Sequence, residues 1–185
     1  LRDPCPVSTG FQLGFVAALS ICDAVEASGV DRNWLGLKWP NDVLAKGAKL
    51  SGILIEGTLL SDGAFAVVIG CGINVAHHPA DTPYPATDLR SLGVDTNSEA
   101  VFSSLTAAFK NWLDVFENGV QFSKIRAAWI DRSIGMNRPV AINSLGTVRR
   151  GIFSGLDENG CLILDQDGDR KSTRLNSSHT VISYA

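Results

Sequence analysis

Between Leu35 and Val75 the chain runs as four short apolar stretches parted by tight turns, and this spacing constrains the fold more than any other feature. Leu35 to Trp39 stops at Pro40, which lacks the N–H that a sheet ladder needs. Val43 to Ala45 and Lys49 to Glu56 flank Lys46-Gly47, and Ser61-Asp62-Gly63 leads into Ala64 to Val75. Connections this short imply antiparallel pairing, because a parallel crossover needs a dozen or more residues. Upstream, Phe11, Phe15, Ala18, Leu19, Cys22 and Val25 recur at helical spacing from Val7 to Ala27, with Ser8 or Thr9 as the N-cap. Downstream, Thr96 and Glu99 make a capping box ahead of an apolar stripe from Val101 to Phe116, which Asn118 and Gly119 end. A shorter helix is expected over Phe122 to Asp131. The reading is an α+β fold, a largely antiparallel sheet flanked by helices.

From Pro139 the texture changes to short alternating segments at Val140–Ile142, Thr147–Ser154 and Cys161–Asp165, separated by turn residues. A small β-barrel is expected there. The chain divides into a first domain over 1–135, a partial second domain over 136–171, and a polar stretch over 172–185 that fits neither and reads as a non-native tail. Hydrophobic residues make up 45% and charged residues 19%, a balance suited to a packed core and too apolar for disorder. A net charge of −3 and a pI near 5.5 argue against bulk attraction to nucleic acid or an anionic membrane. Cys5, Cys22, Cys71 and Cys161 are scattered and read as reduced thiols, which places the protein in the cytoplasm. No run approaches the roughly 18 to 20 uninterrupted apolar residues of a membrane span. The start at Leu1, without methionine, leads to the expectation that an N-terminal part of the parent protein is absent.

Polar residues concentrate where strands end. Lys38-Trp39-Pro40-Asn41-Asp42 is followed by Lys49-Leu50-Ser51-Gly52-Ile53-Leu54-Ile55-Glu56 and then by Ile69-Gly70-Cys71-Gly72-Ile73-Asn74-Val75. Two lysines beside otherwise apolar strands suit an anion, because a preorganised cation in a partly dry site stabilises developing negative charge. Gly52, Gly70 and Gly72 sacrifice packing but let a flat ligand lie against the sheet. Asn74 offers a donor and an acceptor to a purine edge or a phosphate. Each feature alone has a bland reading as surface charge, bulge or turn, and together they point to a small-molecule site of a kind that suits a phosphate-bearing ligand.

KWPND, KLSGILIE and VVIGCGINV together resemble the central block of the biotin protein ligase family. The resemblance extends to the N-terminal helix, to ATDLRSLG, and to GTVRRGIFSGLDENGCLILDQDG, which is similar to that family's C-terminal SH3-like domain. It implies a class II synthetase-like catalytic domain with a mixed, largely antiparallel sheet. It also implies ATP-dependent ligation of biotin to a lysine of a biotin carboxyl carrier protein, through biotinyl-5′-AMP. Carried over by position, Lys49 is the catalytic residue, contacting the biotin carboxylate and the α-phosphate. Asn41 and Asp42 fall on the nucleotide and metal side, with Asp42 the one candidate for Mg²⁺ held through ATP. Lys38 opens the motif, Gly52 and Leu54 follow biotin, Ile73 and Asn74 lie toward adenine, and Ile53 and Gly72 are further substrate- or cofactor-binding residues. Trp39 either lines the biotin pocket or packs.

The resemblance also implies that the family's glycine- and arginine-rich loop lies upstream of Leu1, so that this fragment alone would be a weak ligase or none. The second domain would end with an open edge. A homodimer through sheet edges is left open, and no nucleic acid partner is implied by these residues. The rivals are a lipoate ligase or lipoyl/octanoyl transferase, a repressor carrying an upstream DNA-binding domain, and a non-catalytic biotin-binding remnant. His77 and His78 lack a third metal ligand at suitable spacing. Cys71, Trp112 and Trp129 read as packing residues, and Arg149 and Arg150 as a solvated strand face.

Overall fold

The computed structural model describes the backbone of residues 1–144, 147–166, 169–173 and 180–184. The turn residues expected at 145–146 and 167–168, and tail residues 174–179 and 185, lie outside the described residues. Four strands make the first sheet: β1 Leu35–Lys38, β2 Asp42–Ala45, β3 Ala48–Leu59 and β4 Phe65–Ile73, each antiparallel to the next. Lys46 and Gly47 take φ of 50° and 79°, the left-handed pair that lets a two-residue turn close on right-twisted strands. The β1–β2 turn holds a cis Trp39–Pro40 peptide. Parallel pairing is present at the margins as single bridges, Leu37 with Ser133 and Lys49 with Ala86, in keeping with a mixed, largely antiparallel arrangement.

Helix α1, Leu13–Ala27, follows a tighter 3₁₀ segment over Val7–Gln12. That extra turn moves the N-cap from the expected Ser8 or Thr9 to Gln12, which makes no side-chain cap, while Thr9 Oγ1 donates to Pro6 O at 2.9 Å. Leu13, Val16, Leu19, Ile21, Cys22 and Val25 are fully buried. The sheet covers one side of α1, and α2 Ser98–Phe116 and α3 Phe122–Asp131 cover the other. Burial on both sides explains the apolar character of the stretch Val7–Ala27, which by length and composition alone would suffice to cross a membrane. Each such aliphatic side chain contributes about 1.5–3 kcal/mol of transfer free energy.

The cap of α2 also differs from expectation. Asn97, not Thr96, accepts the Ala100 N–H at 2.9 Å, which puts Glu99 in the first turn and not in a capping box. Glu117 and Asn118 are left-handed (φ 47° and 53°) and break the helix before Gly119.

A second sheet follows in the order β8-β7-β6-β5-β9. Its strands are β5 Pro139–Ser144, β6 Thr147–Leu156, β7 Leu162–Gln166, β8 Asp169–Thr173 and β9 Thr180–Tyr184. The segment expected to fit neither domain therefore supplies a strand, because β9 pairs antiparallel with β5 along Val140–Ser144. Thr180-Val181-Ile182-Ser183-Tyr184 is rich in β-formers, a signal hidden by the polar run before it. Val140, Ile142, Phe153, Leu162 and Leu164 are buried in one apolar cluster shared with α1 and the first sheet.

Candidate active site

Register decides which residues share a face. Gly52 pairs with Gly72 and Leu54 with Gly70, whereas Ile53 pairs with Cys71 and Ile55 with Ile69. Side chains alternate along a strand, so Ile53, Ile55 and Val67 turn toward α1, while Gly52, Leu54, Gly70 and Gly72 turn away from it. On that outer face a Cβ added at Gly70 or Gly72 would meet nothing closer than 3.8 Å. The result is a bare strip of backbone, open to a flat molecule, with an open cleft of about 530 Å³ above it bounded by Asn41, Lys49, Gly52 and Leu54.

Simple alternation counted back from Gly52 would turn Lys49 toward α1. A β-bulge prevents this: the β2–β3 register shifts between Val43 and Leu44, so Leu50 and Ser51 are both buried and Lys49 emerges on the face of Gly52. There Lys49 Nζ lies 2.6 Å from Asp42 Oδ1, with side-chain exposures of 26% and 20%. Gly52 stands opposite Asp42, and a Cβ on it would come within 3.2 Å of Lys49 Nζ and Cε. Glycine at position 52 thus lets the ion pair sit where it does without the lysine giving way by a few tenths of an ångström. Lys38, paired with Asp42 across the ladder, has its pKa lowered by burial; Asp42 opposes that shift and Lys49 adds to it.

Asn41 is held on both sides, its Nδ2 donating to Ile53 O at 2.8 Å and its carbonyl accepting the Ile53 N–H at 2.9 Å. Across the cleft, residues 85–90 are stitched to both neighbouring strands. Lys49 N donates to Pro85 O (2.8 Å), Thr87 N to Lys49 O (2.9 Å) and Leu89 N to Asn74 O (3.1 Å). Asn74 Nδ2 donates to Thr87 O at 2.9 Å, so its amide is occupied in holding this segment. Asp88, buried, accepts the Ser91 N–H at 2.7 Å and faces His78 Nδ1 at 2.6 Å. Burial works against its ionisation, yet the Ser91 backbone N–H and the His78 ring outweigh it and hold the carboxyl below its usual range. The same segment brings the Tyr84 ring to 5.2 Å from Lys49 Nζ.

A second cleft, of about 630 Å³, opens on the α1 side of the sheet between Phe11, Phe15, Trp39, Ile55 and Phe65, and meets the first at Asn41 and Ile53. Trp39 lies there at 4% exposure, its indole N–H donating to Gly160 O at 3.2 Å. Among the described residues no group of three or more His, Cys, Asp or Glu could hold a metal ion.

Two family models match the chain: the biotin/lipoate A/B protein ligase family over residues 5–74, and the biotin protein ligase C-terminal domain over residues 135–178. A biotin–[acetyl-CoA-carboxylase] ligase of Paracoccus denitrificans is 36% identical over 163 residues, covering 83% of this chain and 66% of that protein. The chain belongs to the biotin protein ligase family. The bifunctional ligase/repressor BirA of Bacillus subtilis is 30% identical over 89% of this chain and 51% of its own length. The ligase-family chain thus spans between half and two thirds of these two relatives. Its fold matches the apo biotin protein ligase of Aquifex aeolicus with a TM-score of 0.80 at 24% identity, covering 97% of this chain and 77% of that one. The same Aquifex protein in complex with biotin and ATP superposes with a TM-score of 0.77, also at 24% identity.

The ligase fold gathers Lys49, Asn41, Gly52, Ile53, Leu54 and Gly72 around the outer cleft, with Asp42 at 2.6 Å from the lysine. Lys38, Ile73 and Asn74 do not bound it. Lys38 is half-buried behind Asp42, Ile73 packs against the core, and Asn74 is bonded to Thr87. Trp39 faces the other cleft. Cys71 is half-buried and touches the outer cleft as well as the core, and burial raises its pKa. Sequence reading missed the bulge at Leu50, Tyr84 and Gly160. Tyr84 carries no signal, lying in a proline-rich loop whose path depends on bonds to Lys49.

Proposed function

We propose that this chain carries the adenylate-forming site of an ATP-dependent biotin ligase, and that the parent protein attaches biotin to a lysine of a biotin carboxyl carrier domain. The observation that carries the reading is the Lys49 ammonium, fixed 2.6 Å from Asp42 at the edge of a side-chain-free glycine face. Biotin would lie along Gly52 and Leu54 with its carboxylate at Lys49, and the nucleotide would extend toward Gly72 and the 85–90 segment. The biotin carboxylate oxygen attacks the α-phosphorus as the bond to pyrophosphate breaks. Lys49 then neutralises charge gathering on the non-bridging oxygens. In the second step a carrier lysine amine attacks the acyl carbon and AMP leaves. The chain's contribution is mostly positioning and electrostatics, since the mixed anhydride carries the driving force.

Mg²⁺ fits a site of this kind through Asp42 alone, the nucleotide phosphates supplying most of its oxygen ligands, as is usual for this ion. Bound there, the ion would offset phosphate charge. Asp42 would then be shared between the ion and Lys49.

The test is pyrophosphate release from ATP by the full-length protein with biotin, and separately with lipoate. Biotin-dependent release that Lys49→Ala lowers by about 10²–10³-fold is expected. Release that follows lipoate instead, or is indifferent to Lys49, would overturn the assignment.

A further inference from the structure

The second sheet does not merely follow the first. Its β6–β7 turn, Asp157–Cys161, enters the helix-side cleft and touches the segment that leads into the ion pair. Asp157 Oδ1 accepts the N–H groups of Asn159 and Cys161, both at 2.9 Å, and Asp157 O accepts the Gly160 N–H at 3.0 Å. So braced, Gly160 takes φ of 87° and lies where a Cβ would be 2.9 Å from the rings of Phe15 and Phe122. Those rings make an edge-to-face pair at 5.4 Å, and Phe15 makes another with Trp129, so the seat is itself packed rigidly. From that seat the Gly160 carbonyl accepts the buried indole N–H of Trp39. Trp39 is two residues from Asn41, which holds the Ile53 backbone, and three from Asp42, which holds Lys49.

We propose that Gly160 and Asp157 are positioning residues of the ligase site. Through the Gly160–Trp39 bond they hold the Trp39–Asp42 turn, and hence the Lys49–Asp42 pair, in register with the glycine face. The inference rests on the adenylate-forming role proposed above. It assigns the second sheet an action on the first half-reaction that needs no contact with substrate.

Two substitutions act on the two ends of this link. Trp39→Phe keeps an aromatic ring and deletes the N–H, and Asp157→Ala removes the acceptor bracing the turn. In the full-length enzyme, kcat/KM for biotin-dependent pyrophosphate release is expected to fall about five- to tenfold in each, the scale of one neutral buried hydrogen bond. The double variant should fall no further than the weaker single, because both break one link. Asp157→Asn, which retains a side-chain oxygen for the two N–H groups, should restore activity to within about twofold. Independent, multiplicative losses, or singles with wild-type kcat/KM, would overturn the proposal. Should Asp157→Ala fail to fold, Trp39→Phe and Asp157→Asn still decide: wild-type kcat/KM in Trp39→Phe refutes it. Wild-type protein that releases no pyrophosphate with biotin would refute the ligase reading instead, and is seen before any variant is made.

Discussion

Gly52 shows how narrow the tolerance is at a single position. Two requirements meet there: the backbone must be bare for a ligand to approach, and the space beside its Cα is already taken by Lys49 Nζ and Cε. Gly52→Ala is expected to shift the ammonium by a few tenths of an ångström and to put a methyl on the bare face, lowering kcat/KM for adenylate formation several-fold while thermal stability changes little, since the site is at the surface. Comparing pyrophosphate release with a melting curve separates the two effects. The sequence made the glycines, Lys49 and Asp42 legible because residue type and spacing carry that information. It could not say that Asn74 would be consumed by Thr87 or that Trp39 would face away from Lys49. Those outcomes depend on partners 13 and 121 residues distant.

The elements themselves were readable wherever a short-range pattern sufficed. β1 to β4, α2 and α3 fall within a few residues of their expected spans, since turn chemistry and apolar period are local. The caps were misplaced by one to four residues, because several neighbouring polar residues compete and the winner is fixed by where the helix docks. How the helices dock is clearest at Asp23 of α1, which accepts both the Trp112 indole N–H of α2 and an Arg132 N–H beyond α3, each at 2.6 Å. Arg132 has its pKa raised: burial works to lower it, and the Asp23 carboxylate overrides that. Trp112→Phe should cost about 1 kcal/mol in urea denaturation, because Asp23 is about a third exposed and water replaces part of the lost bond. Adenylate formation should be unaffected.

For the molecule as a unit, α1 is the interior helix between the first sheet and the other two helices, and its buried thiol reports on global unfolding. Burial pushes the Cys22 thiol from an ordinary 9.0 up to about 12, with Arg132 partly offsetting the shift. Above pH 9 the unfolded chain releases this proton and the folded one keeps it, so stability falls as pH rises from about 9 toward 12. The urea midpoint should drop over that range more steeply in wild type than in Cys22→Ala, and equal slopes would contradict the burial. The β9 pairing was out of reach of local reading, since it joins residues some forty positions apart. The extra residue at Leu50 has a consequence of another kind, a matter of parity. A strand counts in twos, so at this length a regular ladder would send the lysine into the apolar interior, and only a strand one residue shorter could lose the bulge and keep it on the glycine face. For descendants of this chain, the length between Lys49 and Gly52 and the bulge are inherited as one: either can change only if the other does.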